Sequence, residues 1–289
     1  MQEKEESNRN IEKIENVQHI FLSYNENLNS VKVYFSKFGN LASGEDENIR
    51  ESTDAFFKSV YEEIEKKRQK VINSETKEEE ELINKEYLRK LLRKFTKRPK
   101  ISPRNYEILS RSSFLMLNNY FEYLLTDLLS YYYNKFKDSL SEKEFKITLK
   151  ELNEYETIEE ATKNLILKEV ESILVEKTFN ELLNHFEKYL TISLENNLIH
   201  WNKIIEIRER RHLIVHNSSI VNKKYISRTG NPYNLEIGDT VHIEKDYFEN
   251  SWNELKIAGQ LLLFNCWGKW DKNNTDDAIY EIMVQTFAD

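Results

Sequence analysis

Residues 209–219, ERRHLIVHNSS, place Arg210, Arg211, His212, His216 and Asn217 within one short segment, and two of the chain's six histidines fall here. The preceding run, WNKIIEIRERRHLIVHN, reads as one helix. Trp201, Ile204, Ile205, Arg208, Arg211, His212 and Val215 recur on a single stripe that starts apolar and turns cationic toward its C-terminal end. His212 and His216 lie one turn apart on a shared face. Arg211 and His216 are five residues apart, about 140° around the axis. A long arginine, or a loosened last turn before Asn217, closes that gap. Arg211, His212, His216 and Asn217 can therefore converge at one helix end, where the helix dipole also favours cations.

Those residue types suit one chemistry. An arginine grips a phosphate through two parallel hydrogen bonds and keeps its charge at physiological pH. A histidine moves a proton near neutrality, and an asparagine orients by hydrogen bonding. Together they fit cleavage of a ribose–phosphate bond in RNA, where the 2′-hydroxyl is the nucleophile and no metal or cofactor is required. Arg211 would stabilise charge growing on phosphorus, and the products would be a 2′,3′-cyclic phosphate and a 5′-hydroxyl. Other readings stand beside this one. Arg211 and His216 could pair with core carboxylates and end the helix. His212 and His216 form an H-x3-H pair of the kind that ligates zinc, although Leu213 follows His212, so HExxH is absent, and no third ligand is apparent. Arg210 falls outside the register and reads as a bystander or a phosphate clamp.

The elements that must position this segment are helical. Six glycines and three prolines are too few for the turns of an all-β chain, and 12% aromatic content is ample for a core despite 32% charged residues. Residues 1–16 read as a charged start, and 17–38 are ambiguous between helix and strand. Residues 39–48, GNLASGEDEN, read as a loop. A long helical pattern then follows through Phe56, Phe57, Val60, Tyr61 and Ile64, with NSETKEEEE at 73–81 either breaking or continuing it. YLRKLLRKFTKRPK carries Arg93, Lys97 and five more bases with no acid. This run is either a solvated face or an RNA contact, and Arg93 and Lys97 are its candidate phosphate contacts. Pro99 and Pro103 place a domain boundary near residue 100, giving an N-terminal helical extension (1–100) and a helical domain (101–289).

The second part opens with Ser102 and Pro103 as cap and first helical position. A core helix follows through Tyr106, Leu109, Leu117, Tyr120, Leu124 and Leu128, with Glu122 among aromatics. Capping boxes at Ser141/Glu144, Thr157/Glu160 and Thr178/Glu181 predict helices at 142–151, 158–176 and 179–190. The site helix ends at 216, and a small β-hairpin or ordered loop spans 222–243. A last core helix runs over 247–267, capped by Asp246/Glu249 and stopped by Gly268. Lys223 and Lys224, directly after the site segment, either position phosphate or are simply solvated.

Composition also excludes. A net charge of −8 rules out a broadly basic nucleic-acid binder, so an anion must meet a local patch. Cys266 is the sole cysteine, so no intrachain disulfide forms. The polar first ten residues do not read as a signal peptide, and no apolar run is long enough for a membrane span. A cytoplasmic protein without membrane contact is the expectation.

Arg211-x4-His216, with His212 and Asn217 after the arginine and histidine, resembles the R-x4-6-H motif of HEPN-domain proteins. EIRERRHLIVHNSSIVNKKYI resembles the corresponding segment of large bacterial HEPN proteins, and SFLMLNNYFEYLLTDLL resembles the family's first core helix. The resemblance covers about residues 103–268. It implies an all-α HEPN-like bundle, usually a homodimer with two such motifs facing each other, acting as a metal-independent endoribonuclease in toxin–antitoxin, abortive-infection or antiviral defence. It makes Arg211 and His216 the catalytic pair, with His212, Asn217 and Glu122 orienting and Arg208 aiding substrate binding. Glu122 is either a salt-bridging or arginine-orienting residue or a participant in catalysis. RNA is the implied substrate, with an antitoxin or sensor protein as a possible partner. One subfamily carries a tyrosine two residues after the histidine, which a partner enzyme modifies. Ser218 stands there in this chain, so that control is not expected. The alternative of a different class is a non-catalytic HEPN module that binds RNA or a nucleotide or scaffolds a partner.

Overall fold

Apolar residues at helical spacing dominate nearly every segment, and the chain folds accordingly. The computed structural model describes residues 16–96, 104–271 and 278–287. These form helices α1 (Val17–Ile72), α2 (Lys77–Thr96), α3 (Asn105–Lys135), α4 (Leu149–Leu152), α5 (Ile158–Glu176), α6 (Phe179–Lys188), α7 (Trp201–His216), α8 (Lys223–Thr229), α9 (Lys245–Trp270) and α10 (Ala278–Phe287). The fold is all-α. An isolated antiparallel bridge, Ile220 to Thr240, is the β pairing seen among the described residues. No described helix is long and apolar enough to cross a membrane.

Two compact units divide the chain. One comprises the residues up to Val33 and those from Arg111 onward; the other is Tyr34–Ser110. The division differs from the boundary expected near residue 100, because both cuts fall inside continuous helices, α1 and α3. The ambiguous segment 17–38 is helical, and its first half belongs with α9. Val17, Ile20, Tyr24, Leu28 and Val31 are buried at helical spacing. The Tyr24 hydroxyl donates to the Leu255 carbonyl at 2.6 Å, and the Trp252 indole donates to the Leu28 carbonyl at 3.0 Å.

The rest of this unit's core is a pack of helices with wide apolar faces. α3 buries Phe114, Leu117, Phe121, Leu124 and Leu128, and α9 buries Phe248, Leu255, Leu262, Cys266 and Trp267. Capping decides where the intervening helices begin. The Thr157 hydroxyl accepts from the Glu160 amide, and Thr178 with Glu181 forms a complete capping box, as expected. The helix expected at 142–151 is reduced to α4. Ser141 instead donates to the Asp138 carbonyl in a 3₁₀ turn, and the box that forms is Thr148 with Glu151. α9 starts after Glu244 with no side-chain cap, in place of the expected Asp246/Glu249 box.

Two glycines in α9 permit close packing. A Cβ at Gly259 would lie 2.3 Å from the Tyr24 ring, and one at Gly268 would lie 2.5 Å from the Tyr280 hydroxyl. Gly268 therefore does not stop the helix as expected; α9 continues to Trp270 beneath α10. Gly259→Ala forces Tyr24 out of a site where it is 3% exposed and hydrogen-bonded. Thermal and urea unfolding of that variant should show a loss of about 1–3 kcal/mol, the usual cost of overpacking.

In the other unit, the expected loop at 39–48 is helix, part of uninterrupted α1. Its glycines cost about 1 kcal/mol each in a helix interior, but the segment carries Asp46, whose carboxylate caps α3. Oδ1 accepts from the Asn105 amide at 2.8 Å and Oδ2 from the Tyr106 amide at 2.9 Å. Burial opposes ionisation of Asp46, and these hydrogen bonds outweigh it and hold its pKa below the usual value. The Ser102/Pro103 cap expected for α3 lies outside the described residues. Residues 73–76 do break the helical run, and α2 turns back along the end of α1.

The segment 222–243 is not a hairpin. Asn222 caps α8 by accepting from the Tyr225 amide at 2.9 Å, and Gly230 closes it in the left-handed conformation at φ 69°. The chain then returns, and Val221 and Asp239, Gly238 and Val221, and Val241 and Ser219 share backbone hydrogen bonds. Leu213, Val221, Tyr225 and Val241 form a small core beneath this return. It clamps the stretch that follows the end of α7.

Candidate functional site

α7 has three faces with different environments, and the single stripe expected from spacing is split among them. Ile204, Ile207 and Leu213 are its buried apolar anchors, whereas His212, Val215 and His216 are exposed.

The first face carries a buried ion pair. Arg210 Nε donates to Glu206 Oε1 at 2.7 Å, and Arg210 Nη1 donates to the His242 carbonyl at 3.2 Å. The hydroxyls of Tyr225 and Tyr247 donate to the two oxygens of Glu206 at 2.6 and 2.7 Å. The guanidinium lies 3.9 Å from the Tyr247 ring centroid and 4.8 Å from that of Tyr233. Arg210 is thus neither a bystander nor a phosphate clamp. It ties α7 to α8, α9 and the returning loop, and its charge is spent inside the protein. Burial first, then the Glu206 charge, pushes the Tyr225 and Tyr247 hydroxyls above their ordinary pKa, so they stay protonated donors.

The second face meets α3. Arg208 Nη2 lies 3.3 Å from Glu122 Oε1, and Arg211 Nη2 lies 3.7 Å from Glu122 Oε2. The Arg208 guanidinium also sits 4.9 Å from the Phe179 ring at the start of α6. One carboxylate serves two arginines, so a positive charge is left over. Two donors, Arg208 Nη1 and Arg211 Nε, are buried with no hydrogen-bond acceptor. Burial, with Arg211 alongside, lowers the Arg208 pKa against the pull of Glu122. Both side chains are half-buried, so an anion from solvent can still reach them.

The third face is the histidine pair. The rings of His212 and His216 are 5.4 Å apart, centroid to centroid, and both residues are exposed. Burial of its ring is the largest influence lowering the His212 pKa; Arg211, His216 and Lys224 add to it and Glu209 opposes it. Burial and these cations therefore favour the neutral ring of His212, and an anion bound beside it favours the protonated one. An NMR titration should find its midpoint below 6.5 in the free protein, moving upward with a 2′-O-methyl oligonucleotide that cannot be cleaved. An unmoved midpoint would place the bound phosphate elsewhere.

The turn after α7 fixes where these side chains stand. Asn217 is the C-cap, and its Nδ2 donates to the Ile220 carbonyl at 2.6 Å. Ser218 and Ser219 follow at φ 51° and 65°, and the Leu213 carbonyl accepts from the amides of Asn217 and Ser219. Two consecutive non-glycine residues in the left-handed region cost roughly 1 kcal/mol or more each, and the clamped return holds them there. Asn217 thus orients the backbone of the turn. Lys223 and Lys224 are exposed at the start of α8, and Lys224 is near enough for its charge to bear on His212.

The structure brings Arg208 and Arg211 together at Glu122 and pairs His212 with His216 on a separate face of the same helix end, with Lys224 near His212. Arg93 lies exposed on α2, in the other compact unit, and Lys97 lies outside the described residues. Among the described residues no group of three or more His, Cys, Asp or Glu side chains gathers as a metal site. Sequence reasoning missed the Glu206–Arg210 network and the Phe179 platform. The E-x3-R spacing on α7 was the visible signal for the first, because residues four apart face each other on a helix. Comparison with family models, curated proteins and solved structures finds no match for the chain.

Proposed function

We propose that the chain is a HEPN-type, metal-independent endoribonuclease with Arg211 and His216 as its catalytic pair. The observation that carries this reading is the arrangement at the end of α7, where Glu122 holds Arg208 and Arg211 beside an exposed pair of histidines. A ribose 2′-oxygen attacks phosphorus as its proton passes to a histidine. The P–O5′ bond breaks, and the departing oxygen takes a proton from a second histidine. Arg211 neutralises the charge that builds on the non-bridging oxygens. His212 orients the pair, and Lys223 and Lys224 draw the backbone phosphates. A homodimer that joins two copies of the motif supplies both proton carriers. A toxin or antiviral effector held in check by an antitoxin or sensor protein is the role that suits such an activity.

Purified protein incubated with RNA tests this. Cleavage that persists in EDTA and leaves a 2′,3′-cyclic phosphate is the expected result, with a dimer in light scattering. Cleavage abolished by EDTA would shift the site to the histidine pair as metal ligands. Tight binding without cleavage would make the chain an RNA-binding module.

A further inference from the structure

We infer that His212 and His216 form a chelating site for a divalent zinc-class metal ion at the end of α7. The binding rests on helix geometry alone. Its consequence, that the ion silences cleavage rather than driving it, rests on the nuclease reading.

Residues four apart on a helix face each other, and both histidines are exposed. Their ring centroids are 5.4 Å apart, with the planes tilted by 39°. A zinc ion lies about 2.0–2.1 Å from an imidazole nitrogen, hence about 3.2 Å from the ring centroid, and a tetrahedral angle then sets two bound rings about 5.2 Å apart. The pair already stands near the separation that one shared ion requires. Among the described residues no hydrogen bond or ion pair occupies either ring. Two other histidines differ in this respect. His185 is buried against the Tyr133 hydroxyl, and His200 faces Glu254 at 3.4 Å.

The surroundings carry both signs of charge. The end of a helix C-terminus favours cations. Glu209 lies on the same face about one turn earlier, and its charge bears on His212, although Arg228 holds the carboxylate at 2.8 Å. Arg211 and Lys224 oppose a bound cation. Arg211 is partly offset by Glu122 at 3.7 Å. Two protein ligands, with solvent completing the sphere, make a reversible site rather than a closed structural one. Imidazole selects zinc, copper and nickel over magnesium and calcium, which take oxygen ligands. An ion held there ties up the lone pair of each neutral ring. Neither ring can then take the proton of a ribose 2′-hydroxyl, while the added positive charge beside Arg211 still attracts phosphate. Turnover should fall and RNA affinity should hold.

The test uses untagged full-length protein, stripped with EDTA, dialysed and titrated with zinc sulfate in a calorimeter without RNA. One ion per chain should bind, saturating below about 100 µM, and magnesium sulfate should give no saturable heat. His212→Gln and His216→Gln should each weaken zinc roughly tenfold or more, with unchanged circular dichroism. His200→Gln, at the opposite end of α7, should bind zinc as the wild type does. In cleavage assays, zinc should lower kcat over the same concentrations with little change in KM, and the residual cleavage of His212→Gln should resist it. No saturable uptake, or uptake unchanged in both His212→Gln and His216→Gln, would overturn the inference. Zinc-stimulated cleavage would overturn the silencing and make the ion a catalyst. Uptake lost in both variants, in a protein that cleaves no RNA, would leave the metal site standing and retire the nuclease reading instead.

Discussion

Arg211→Ala should lower RNA cleavage by about 10²–10³-fold, the usual loss when a preorganised charge donor is removed from a transition state. The His216→Ala loss should be similar, within the ~10²–10⁴-fold range of general acid–base catalysis. Neither change should unfold the protein. Arg211 is half-buried and His216 is exposed, and neither belongs to the network around Arg210. Arg211→Lys discriminates further. A lysine keeps the charge but not the fork that spans two phosphate oxygens, so binding should survive better than turnover. Glu122→Gln removes the shared counter-charge of Arg208 and Arg211. If Glu122 only orients, that variant should retain cleavage within about tenfold, with the loss in turnover. A loss as deep as that of Arg211→Ala would make Glu122 a participant in the chemistry. Full cleavage in both Arg211→Ala and His216→Ala would end the assignment of this site.

The locality of the site was legible because it depends on short-range periodicity. Arg208, Arg211, His212 and His216 lie within a few turns of one helix, and the Thr157 and Thr178 caps mark helix starts through contacts three residues long. What was not legible depends on distant partners. GNLASGEDEN has the composition of a loop, yet it remains helical and its Asp46 caps a helix about sixty residues away. The first turns of α1 read ambiguously because the α9 surface that buries them lies more than two hundred residues on. Arg210 looked idle for the same reason. Its local partner Glu206 was visible, but the tyrosines that make the pair tolerable in the interior come from α8 and α9. Gly230, Pro232 and Gly238 interrupt short β-prone runs, and the expectation of a small hairpin or ordered loop followed. The backbone instead spends most of its pairing on the Asn222 cap, α8 and a single bridge, which is enough to clamp the α7 end.

The Glu206–Arg210 network sets the largest expected stability change. Glu206 is 2% exposed and Arg210 6%, so removing one partner leaves the other as an uncompensated interior charge. Glu206→Ala also strips the hydroxyls of Tyr225 and Tyr247 of their acceptor. A loss of about 3–5 kcal/mol is expected for Glu206→Ala or Arg210→Ala, against a total stability that for most domains is about 5–15 kcal/mol. Urea unfolding should show the midpoint falling with little change in slope. Removing both charges together, as Glu206→Leu with Arg210→Met, should cost far less than the two single changes summed, because no charge is then stranded. Additive losses would mean that the two residues act separately and that Arg210 is held mainly by the His242 carbonyl and the tyrosine rings. The double variant also isolates the network's bearing on the site. The strained Ser218–Ser219 turn is clamped by the same α8 and returning loop that Arg210 ties to α7. A folded Glu206→Leu/Arg210→Met protein should therefore lose turnover through a displaced His216 while keeping RNA affinity, which rests on Arg211 and the exposed lysines.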